Sequence, residues 1–310
     1  MESAELSVVT GAFSYTGKYI TRRLLSMGQR VRTLTGRPNH ENPFGCQVGV
    51  FPFNFGNPGR LTESLQGATT LYNTYWVRFC HGKVTFDRAV ENTKTLIKAA
   101  EEAGIRRIVH ISITNASEES AFPYFRGKAL VEKAIIHSKL SYAIVRPTVI
   151  FGPEGILINN IAWLLRRFPV FAISGSGDYR IQPVFVEDVA EIAVDAGQKD
   201  DHMVMDAVGP EVYTFDELVR LIAEKMHGRA SIIHVRPGLV LFLARLIGYA
   251  VKDVVITKDE IGGLMSNLLV SEGPATGDTR LSQWLEEHAG SVGLRYASEL
   301  RRHYHSYDPS

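Results

Sequence analysis

The stretch TGAFSYTGKYI (Thr10–Ile20) follows directly on a short apolar run, Leu6–Val9. It places Gly11 and Gly17 at the two ends of a glycine frame, with Ser14 where a middle glycine would stand. A strand, a glycine turn and an amphipathic helix are what a dinucleotide pyrophosphate needs, because the turn and the helix N-terminus present backbone N–H groups to its charge. The candidate cofactor residues here are Gly11, Phe13, Ser14, Tyr15, Thr16 and Gly17.

Short runs rich in Val and Ile alternate with helical patterns over the first half of the chain. Strands are predicted at Leu6–Val9, Arg30–Thr35, Val48–Phe53, Thr69–Thr74, Arg107–Ile113 and Ser141–Val145, and helices at Gly17–Met27 and Thr85–Ala103. Strands that alternate with helices form a parallel sheet covered on both faces. The sequence therefore predicts an α/β fold with a doubly wound parallel sheet, the Rossmann architecture.

Beyond Pro147 the pattern is less regular, with helical segments predicted at Val186–Ala196, Thr214–Met226 and Gly238–Ala250. No internal repeat and no long linker separates this part from the first. We expect residues 1–150 to form the nucleotide-binding domain and residues 151–310 a smaller, mostly helical substrate-binding cap. Residues 178–208 are expected to return to the sheet.

Composition excludes several classes of function. The 34 Lys and Arg residues balance 33 Asp and Glu residues, so the chain lacks the basic surplus that binds nucleic acid. Cys46 and Cys80 have no metal-type spacing, which favours a reducing, cytoplasmic location. The N-terminal sequence shows no secretory signal.

The most apolar window is Pro237–Val255, which contains Arg245 and Lys252. These two charges make a membrane-spanning helix unfavourable. The window predicts a buried helix, with a helix lying in a membrane surface as the alternative. Peripheral membrane contact therefore stays open.

Cofactor choice depends on the end of the second strand, where an acidic residue would bind the ribose 2′-hydroxyl of NAD. The sequence there is TLTGRPNH, residues 33–40, without a carboxylate. Arg37 provides a planar, permanently charged group that suits a 2′-phosphate. NADP(H) is favoured, and NAD(H) remains the alternative.

The segment PYFRGKALVEK (Pro123–Lys133) places Tyr124 and Lys128 one helical turn apart. An ammonium beside a phenol lowers the phenol pKa, because it stabilises the phenolate, and brings it towards the range of acid–base catalysis. The fifth strand ends about ten residues earlier and delivers Ser112, Thr114 and Asn115 to the same edge of the sheet. Either hydroxyl could hold a substrate oxygen, with Ser112 slightly favoured.

The sequence resembles the extended or atypical branch of the short-chain dehydrogenases/reductases. The resemblance rests on TGAFSYTG, ENTKTLIKAA, HISITNAS, YFRGK, IVRPTVIFGPEG and QPVFVEDVAE, and runs from about residue 6 to residue 225. Within that branch the sequence is similar to the group around the NADPH-binding accessory subunit of respiratory complex I.

The resemblance implies a role for each matching residue. Tyr124 would be the general acid/base, and Lys128 would lower its pKa and hold the nicotinamide ribose. Pro147 and Val149 would line the nicotinamide pocket. Further cofactor candidates are Asn54, Asn73, Thr74 and Asn92, although Asn54 stands where the family usually has an aspartate.

The candidate substrate pocket contains Tyr75, Trp76, Asn115 and Arg180. The two aromatic residues could floor an apolar pocket or fill it. Arg180 could meet an anionic group or lie on a surface loop. His110 is expected to be a hydrogen-bonded core residue, and no spacing of the histidines suggests a metal.

These residues predict an NADP(H)-dependent oxidoreductase that moves a hydride to or from a carbonyl or alcohol carbon of a small, possibly apolar, substrate. A sugar-nucleotide epimerase or dehydratase is the alternative within the enzymes. A protein that binds NADP(H) without turnover, as part of an assembly or as a redox sensor, is the alternative outside them.

Overall fold

The computed structural model describes residues 5–39 and 41–304. The strands up to residue 151 are β1 (Leu6–Thr10), β2 (Arg30–Thr35), β3 (Val48–Pro52), β4 (Thr70–Asn73), β5 (Arg107–Ile111), β6 (Ser141–Pro147) and β7 (Val149–Phe151). The helices in this part are α1 (Tyr15–Ser26), α2 (Pro58–Leu65), α3 (Phe86–Glu102) and α4 (Pro123–Ile136), and a single 3₁₀ turn covers Gly45–Gln47.

The later strands are β8 (Val170–Ser174), β9 (Arg180–Ile181), β10 (Pro183–Phe185), β11 (Met203–Ala207), β12 (Tyr213–Thr214) and β13 (Ser231–Val235). The later helices are α5 (Ile156–Arg167), α6 (Val186–Gly197), α7 (Phe215–Lys225), α8 (Pro237–Val251), α9 (Lys258–Met265) and α10 (Leu281–His288), followed by a π-helical turn at Leu300–Tyr304. Within the described ranges, no helix is both long and apolar enough to cross a bilayer.

One central sheet has the strand order β11-β6-β5-β4-β1-β2-β3. β1 pairs in parallel with both β2 and β4, and parallel pairing continues outward to β3 and β6. Every residue of β1, β4 and β5 is buried, as expected of strands covered on both faces. The predicted doubly wound parallel sheet is confirmed, and its strand order reverses at β1, where such sheets bind ligands.

Two compact units divide the chain. The first contains residues 5–146 and Val189–Asp206 and holds the central sheet. The second contains Pro147–Asp188 and residues 207–304. The assignment of one part to the cofactor and the other to the substrate stays a prediction.

The second unit has its own core, which includes Phe151, Ile158, Leu218 and Trp284. Besides its helices it contains three short strand pairs, β7–β10, β9–β12 and β8–β13. Two of these pairs are too short to leave a periodic pattern in the sequence.

The prediction of a buried helix at Pro237–Val255 is wrong. α8 forms there, but among its residues only Ala244 and Gly248 are buried. These two small residues face the rest of the unit, whereas five large apolar residues are exposed: Leu239, Phe242, Leu243, Leu246 and Tyr249. Hydropathy reports how apolar a segment is and does not identify what covers it.

Candidate active site

The glycine turn between β1 and α1 is closed by hydrogen bonds around Gly11. Its backbone has φ +65°, a left-handed value that favours glycine, and its N–H donates to Leu34 O at 2.8 Å. Its carbonyl accepts from the Ser14 N–H at 2.8 Å and from the Ser14 hydroxyl at 2.6 Å. A Cβ on Gly17 would lie 2.2 Å from the same carbonyl oxygen. The turn therefore requires glycine at position 17.

The N-terminus of α1 faces this turn. Ser14 is the N-cap, but its hydroxyl donates to Gly11 and accepts no bond from the first turn of the helix. Within α1, the first turn carries no acidic side chain. Backbone N–H groups of a helix N-terminus without a side-chain acceptor form a site for a phosphate. The turn thus fits a dinucleotide pyrophosphate despite the serine in the middle position.

The carboxyl ends of β1 and β4 are joined by polar side chains. Thr10 donates its hydroxyl to Asn73 Oδ1 at 3.1 Å and accepts from the N–H groups of Thr74 and Tyr75 at 2.8 and 3.0 Å. The Thr74 hydroxyl donates to Thr10 O. These bonds fix the position of Thr74 next to the glycine turn, whereas Asn73 is fully buried.

Asn73 also fixes the state of His110. Because the Tyr75 N–H donates to Asn73 Oδ1, the amide Nδ2 is the atom that lies 3.0 Å from His110 Nδ1. Nδ1 must then accept, so the proton of the neutral ring is on Nε2. Burial, with Lys128 nearby, holds the pKa of His110 well below its usual value. The expectation of a hydrogen-bonded core histidine is confirmed.

Tyr124 and Lys128 are the second and sixth residues of α4. Lys128 is only 3% exposed. Its Nζ donates to Ile111 O at the carboxyl end of β5, at 2.7 Å, and lies 4.8 Å from the centre of the Trp76 ring. Burial lowers the pKa of Lys128 to about 7, although the negative charge of Glu132 acts to raise it. The ammonium and the neutral amine are therefore close in free energy at neutral pH.

This pKa has a measurable effect on stability. An unfolded lysine titrates near pH 10.4, so between about pH 7 and 10 the unfolded chain binds a proton that the native Lys128 lacks. Stability from this group rises with pH in that window. We expect the unfolding free energy of the wild type to rise, relative to Lys128→Met, by up to about 1.4 kcal/mol per pH unit.

Denaturant unfolding of both proteins from pH 6 to 10 measures this difference. Lys133→Met is the control, because Lys133 is an exposed lysine on the same helix. A Lys128→Met difference that does not change with pH contradicts the low pKa.

Aromatic rings surround Tyr124. Its ring centre lies 6.0 Å from Trp76, 5.9 Å from Phe86 and 5.6 Å from Phe125, all in edge-to-face arrangements. Trp76 also lies against the backbone of α4, since a Cβ on Gly127 would be 2.9 Å from its ring. Trp76 therefore contacts the helix beside both Tyr124 and Lys128. Phe86 and Gly127 were not singled out from the sequence.

The two candidate hydroxyls have different surroundings. Ser112 donates to Glu132, and Glu132 accepts two further bonds from the guanidinium of Arg146. Thr114 is also buried, and its Oγ1 has no hydrogen-bond partner within the part of the chain that the structure describes. Sequence reasoning missed Glu132 and Arg146. The position of Glu132, one turn after Lys128, was the available signal.

The remaining candidates of the first unit lie in several elements. Tyr75 accepts a hydrogen bond from Asn92 Nδ2 at 2.9 Å, and its ring packs on Phe53 and Phe55. In the sequence Asn54 lies between Phe53 and Phe55, and its backbone has φ +48°. The other positions are Phe13 near Phe44, Tyr15 against Tyr19, Thr16 in α1 and Asn115 after β5 with φ +54°.

Arg37 follows the end of β2. Its N–H donates to Thr35 Oγ1 at 3.1 Å, and burial lowers the pKa of its guanidinium. Pro147, Val149 and Arg180 belong to the second unit, where Val149 pairs with Pro183 and the Arg180 N–H donates to Asn267 Oδ1 at 2.6 Å. A shared pocket of these residues with Tyr124 stays a prediction.

Comparison with known proteins indicates an NAD(P)H-binding domain. Residues 11–156 match the model of an NAD(P)H-binding family. The chain is 25% identical over 290 residues to the mitochondrial NADH dehydrogenase (ubiquinone) 1 alpha subcomplex subunit 9 of Arabidopsis thaliana, covering 87% of this chain and 72% of that protein. It is 27% identical over 237 residues to a ceramide reductase of Caulobacter vibrioides, covering 75% and 74%.

Solved structures share the fold. An NADPH-dependent quinone oxidoreductase from Escherichia coli, solved with NADPH, superposes with a TM-score of 0.70 at 19% identity. The match covers 94% of this chain and 97% of that one.

Proposed function

We propose that the chain, whose residues 11–156 match an NAD(P)H-binding family and which resembles the extended short-chain dehydrogenases/reductases, is an NADP(H)-dependent oxidoreductase acting on a carbonyl or alcohol. The observation that carries the proposal is the pair of Tyr124 and buried Lys128 on one face of α4, with Lys128 bonded to the end of β5. A buried lysine one helical turn from a tyrosine, at the edge of a sheet that binds nucleotides, is typical of a functional site.

The residues divide the chemistry as follows. Bound NADP(H) supplies or accepts the hydride at the substrate carbon. In the reductive direction Tyr124 gives its hydroxyl proton to the substrate oxygen, and in the oxidative direction it takes that proton back. Lys128, when protonated, stabilises the phenolate. Thr114 is proposed to hold the substrate oxygen, because Ser112 already donates to Glu132.

The rings around Tyr124 support an apolar substrate. Trp76, Phe86 and Phe125 pack edge-to-face around the Tyr124 ring, and an apolar chain gains more from such rings than a nucleotide sugar does. An aliphatic ketone or aldehyde would bury its chain against these rings. A cytoplasmic location stays a prediction.

Purified protein tests the proposal through the absorbance of reduced nicotinamide. NADPH should be consumed with long-chain aldehydes or ketones and not with nucleotide sugars. NADPH that binds tightly while no carbonyl or alcohol in the panel reacts would support the alternative of an assembly or sensor protein. The contact of Trp76 with Lys128 and Gly127, and the likeness to a complex I subunit, favour that alternative.

Arg37 is proposed to select NADP(H) over NAD(H) through the 2′-phosphate. Charge-assisted bonds contribute about 1.5–3 kcal/mol each. Arg37→Gln should therefore weaken NADPH binding about 10- to 100-fold and leave NADH binding unchanged. Isothermal titration with both cofactors measures this, with Arg60→Gln on α2 as the charge-matched control. A wild-type protein that prefers NADH would overturn the assignment.

A further inference from the structure

Helix α8 presents a continuous apolar face to solvent. Leu239, Phe242, Leu246 and Tyr249 are 46, 56, 51 and 83% exposed. They recur every three or four residues, so they lie along one side of the helix. Monomeric proteins expose single large apolar residues commonly and continuous patches rarely, and such patches mark interaction sites.

The opposite side of α8 fixes this orientation. Ala244 and Gly248 are buried, and the helix packs against β8. A Cβ on Gly248 would lie 2.6 Å from Asp253 O. Asp253 O belongs to the turn that ends α8, and with Ala244 and Gly248 packed inward the large apolar residues on the other side of the helix are left to solvent.

The charges of this segment all have one sign. Arg236, Arg245 and Lys252 are exposed, and the sequence from 236 to 252 contains no Asp or Glu. The next residue, Asp253, is buried, and its carboxylate accepts bonds from the N–H groups of Glu299 and Leu300. An apolar face on a segment whose exposed charges are all cations complements a surface that is apolar inside and anionic outside.

We propose that α8 docks this protein on the surface of a membrane that contains anionic lipid. The helix has 15 residues, about 22 Å in length, and lies along the surface with its apolar face at the boundary of headgroups and acyl chains. A second copy of this chain fits the face less well, because two-fold pairing would bring the three cations of one helix towards those of the other. The docking surface is independent of the reaction proposed above.

Co-sedimentation of the full chain with vesicles tests this proposal. Vesicles of phosphatidylcholine with a quarter phosphatidylglycerol should bind the protein, and pure phosphatidylcholine vesicles should bind it much more weakly. Binding should fall as salt rises. Arg236→Gln and Arg245→Gln should each weaken it about fivefold, the equivalent of about 1 kcal/mol per charge near the surface.

The double variant Phe242→Asp/Leu246→Asp should lose at least a hundredfold in vesicle affinity while NADPH affinity is unchanged. Leu294→Asp is the matched control, because Leu294 is 63% exposed in the same unit and outside α8. In Phe242→Trp, brominated lipid should quench the added fluorescence.

Three outcomes would overturn the proposal. The first is that the wild type fails to bind anionic vesicles. The second is that the double variant binds them as strongly as the wild type. The third is a stable dimer in light scattering without vesicles that the double variant turns into a monomer, which would assign the face to protein association.

Discussion

Tyr124→Phe is expected to lower kcat for carbonyl reduction by at least about a hundredfold, the range supplied by general acid–base catalysis. The substitution removes only the hydroxyl. The ring keeps its edge-to-face contacts with Trp76, Phe86 and Phe125, so the fold and the stability of α4 should be retained. NADPH affinity should change little, which separates loss of proton transfer from loss of the site.

The effect is measured as the rate of NADPH oxidation, followed by absorbance, with the best substrate of the wild type. Tyr142→Phe is the matched control: it removes a hydroxyl from a half-buried tyrosine of the same unit, stacked on His202, and should leave kcat unchanged. If Tyr124→Phe turns over at the wild-type rate, the proton comes from another group.

Gly17→Ala is expected to abolish NADPH binding and to destabilise the first unit. The new methyl group would lie 2.2 Å from Gly11 O. Neither side can move away, because Gly11 is fixed by bonds to Ser14 and Leu34 and α1 is anchored by fully buried Ile20 and Leu24. Overpacking of this kind costs about 1–3 kcal/mol.

The backbone N–H groups of the distorted turn would also no longer point at the pyrophosphate. Two lost charge-assisted bonds correspond to about a hundredfold or more in the dissociation constant. Titration with NADPH at a temperature where the variant remains folded measures binding, and thermal unfolding measures stability. Gly59→Ala is the control: Gly59 lies in the first turn of α2, and a Cβ there meets nothing closer than 3.7 Å. Unchanged NADPH affinity in Gly17→Ala would contradict this account of the turn.

The central sheet was predictable because its strands are short, apolar and covered on both faces. Thr69–Thr74 was predicted and Thr70–Asn73 forms, and the helix predicted at Thr85–Ala103 forms at Phe86–Glu102. In both cases the periodic pattern decides the element and only its ends differ. The position of the glycine turn followed from the same pattern.

Side-chain partners in the site were not predictable. Ser112 was favoured over Thr114 from its position alone, but its hydroxyl donates a hydrogen bond to the buried carboxylate of Glu132. Arg146, which lies on strand β6, holds that carboxylate in place by hydrogen bonding. The spacing along one helix indicates that Glu132 can approach Lys128. It does not indicate which side chain of a neighbouring strand contacts Glu132.

Residues 189–206 limit how far the chain can be shortened. The guanidinium of Arg107, fully buried in β5, donates to Ala196 O and Asp201 O at 2.8 and 3.0 Å. A fragment that stops near residue 150 would keep this cation and lose both acceptors, together with the edge strand β11. Such a fragment would leave the guanidinium with the Ser141 hydroxyl alone of its three described acceptors. Minimal versions for crystallography, or fusions that reuse the nucleotide-binding part, therefore have to include the later segment.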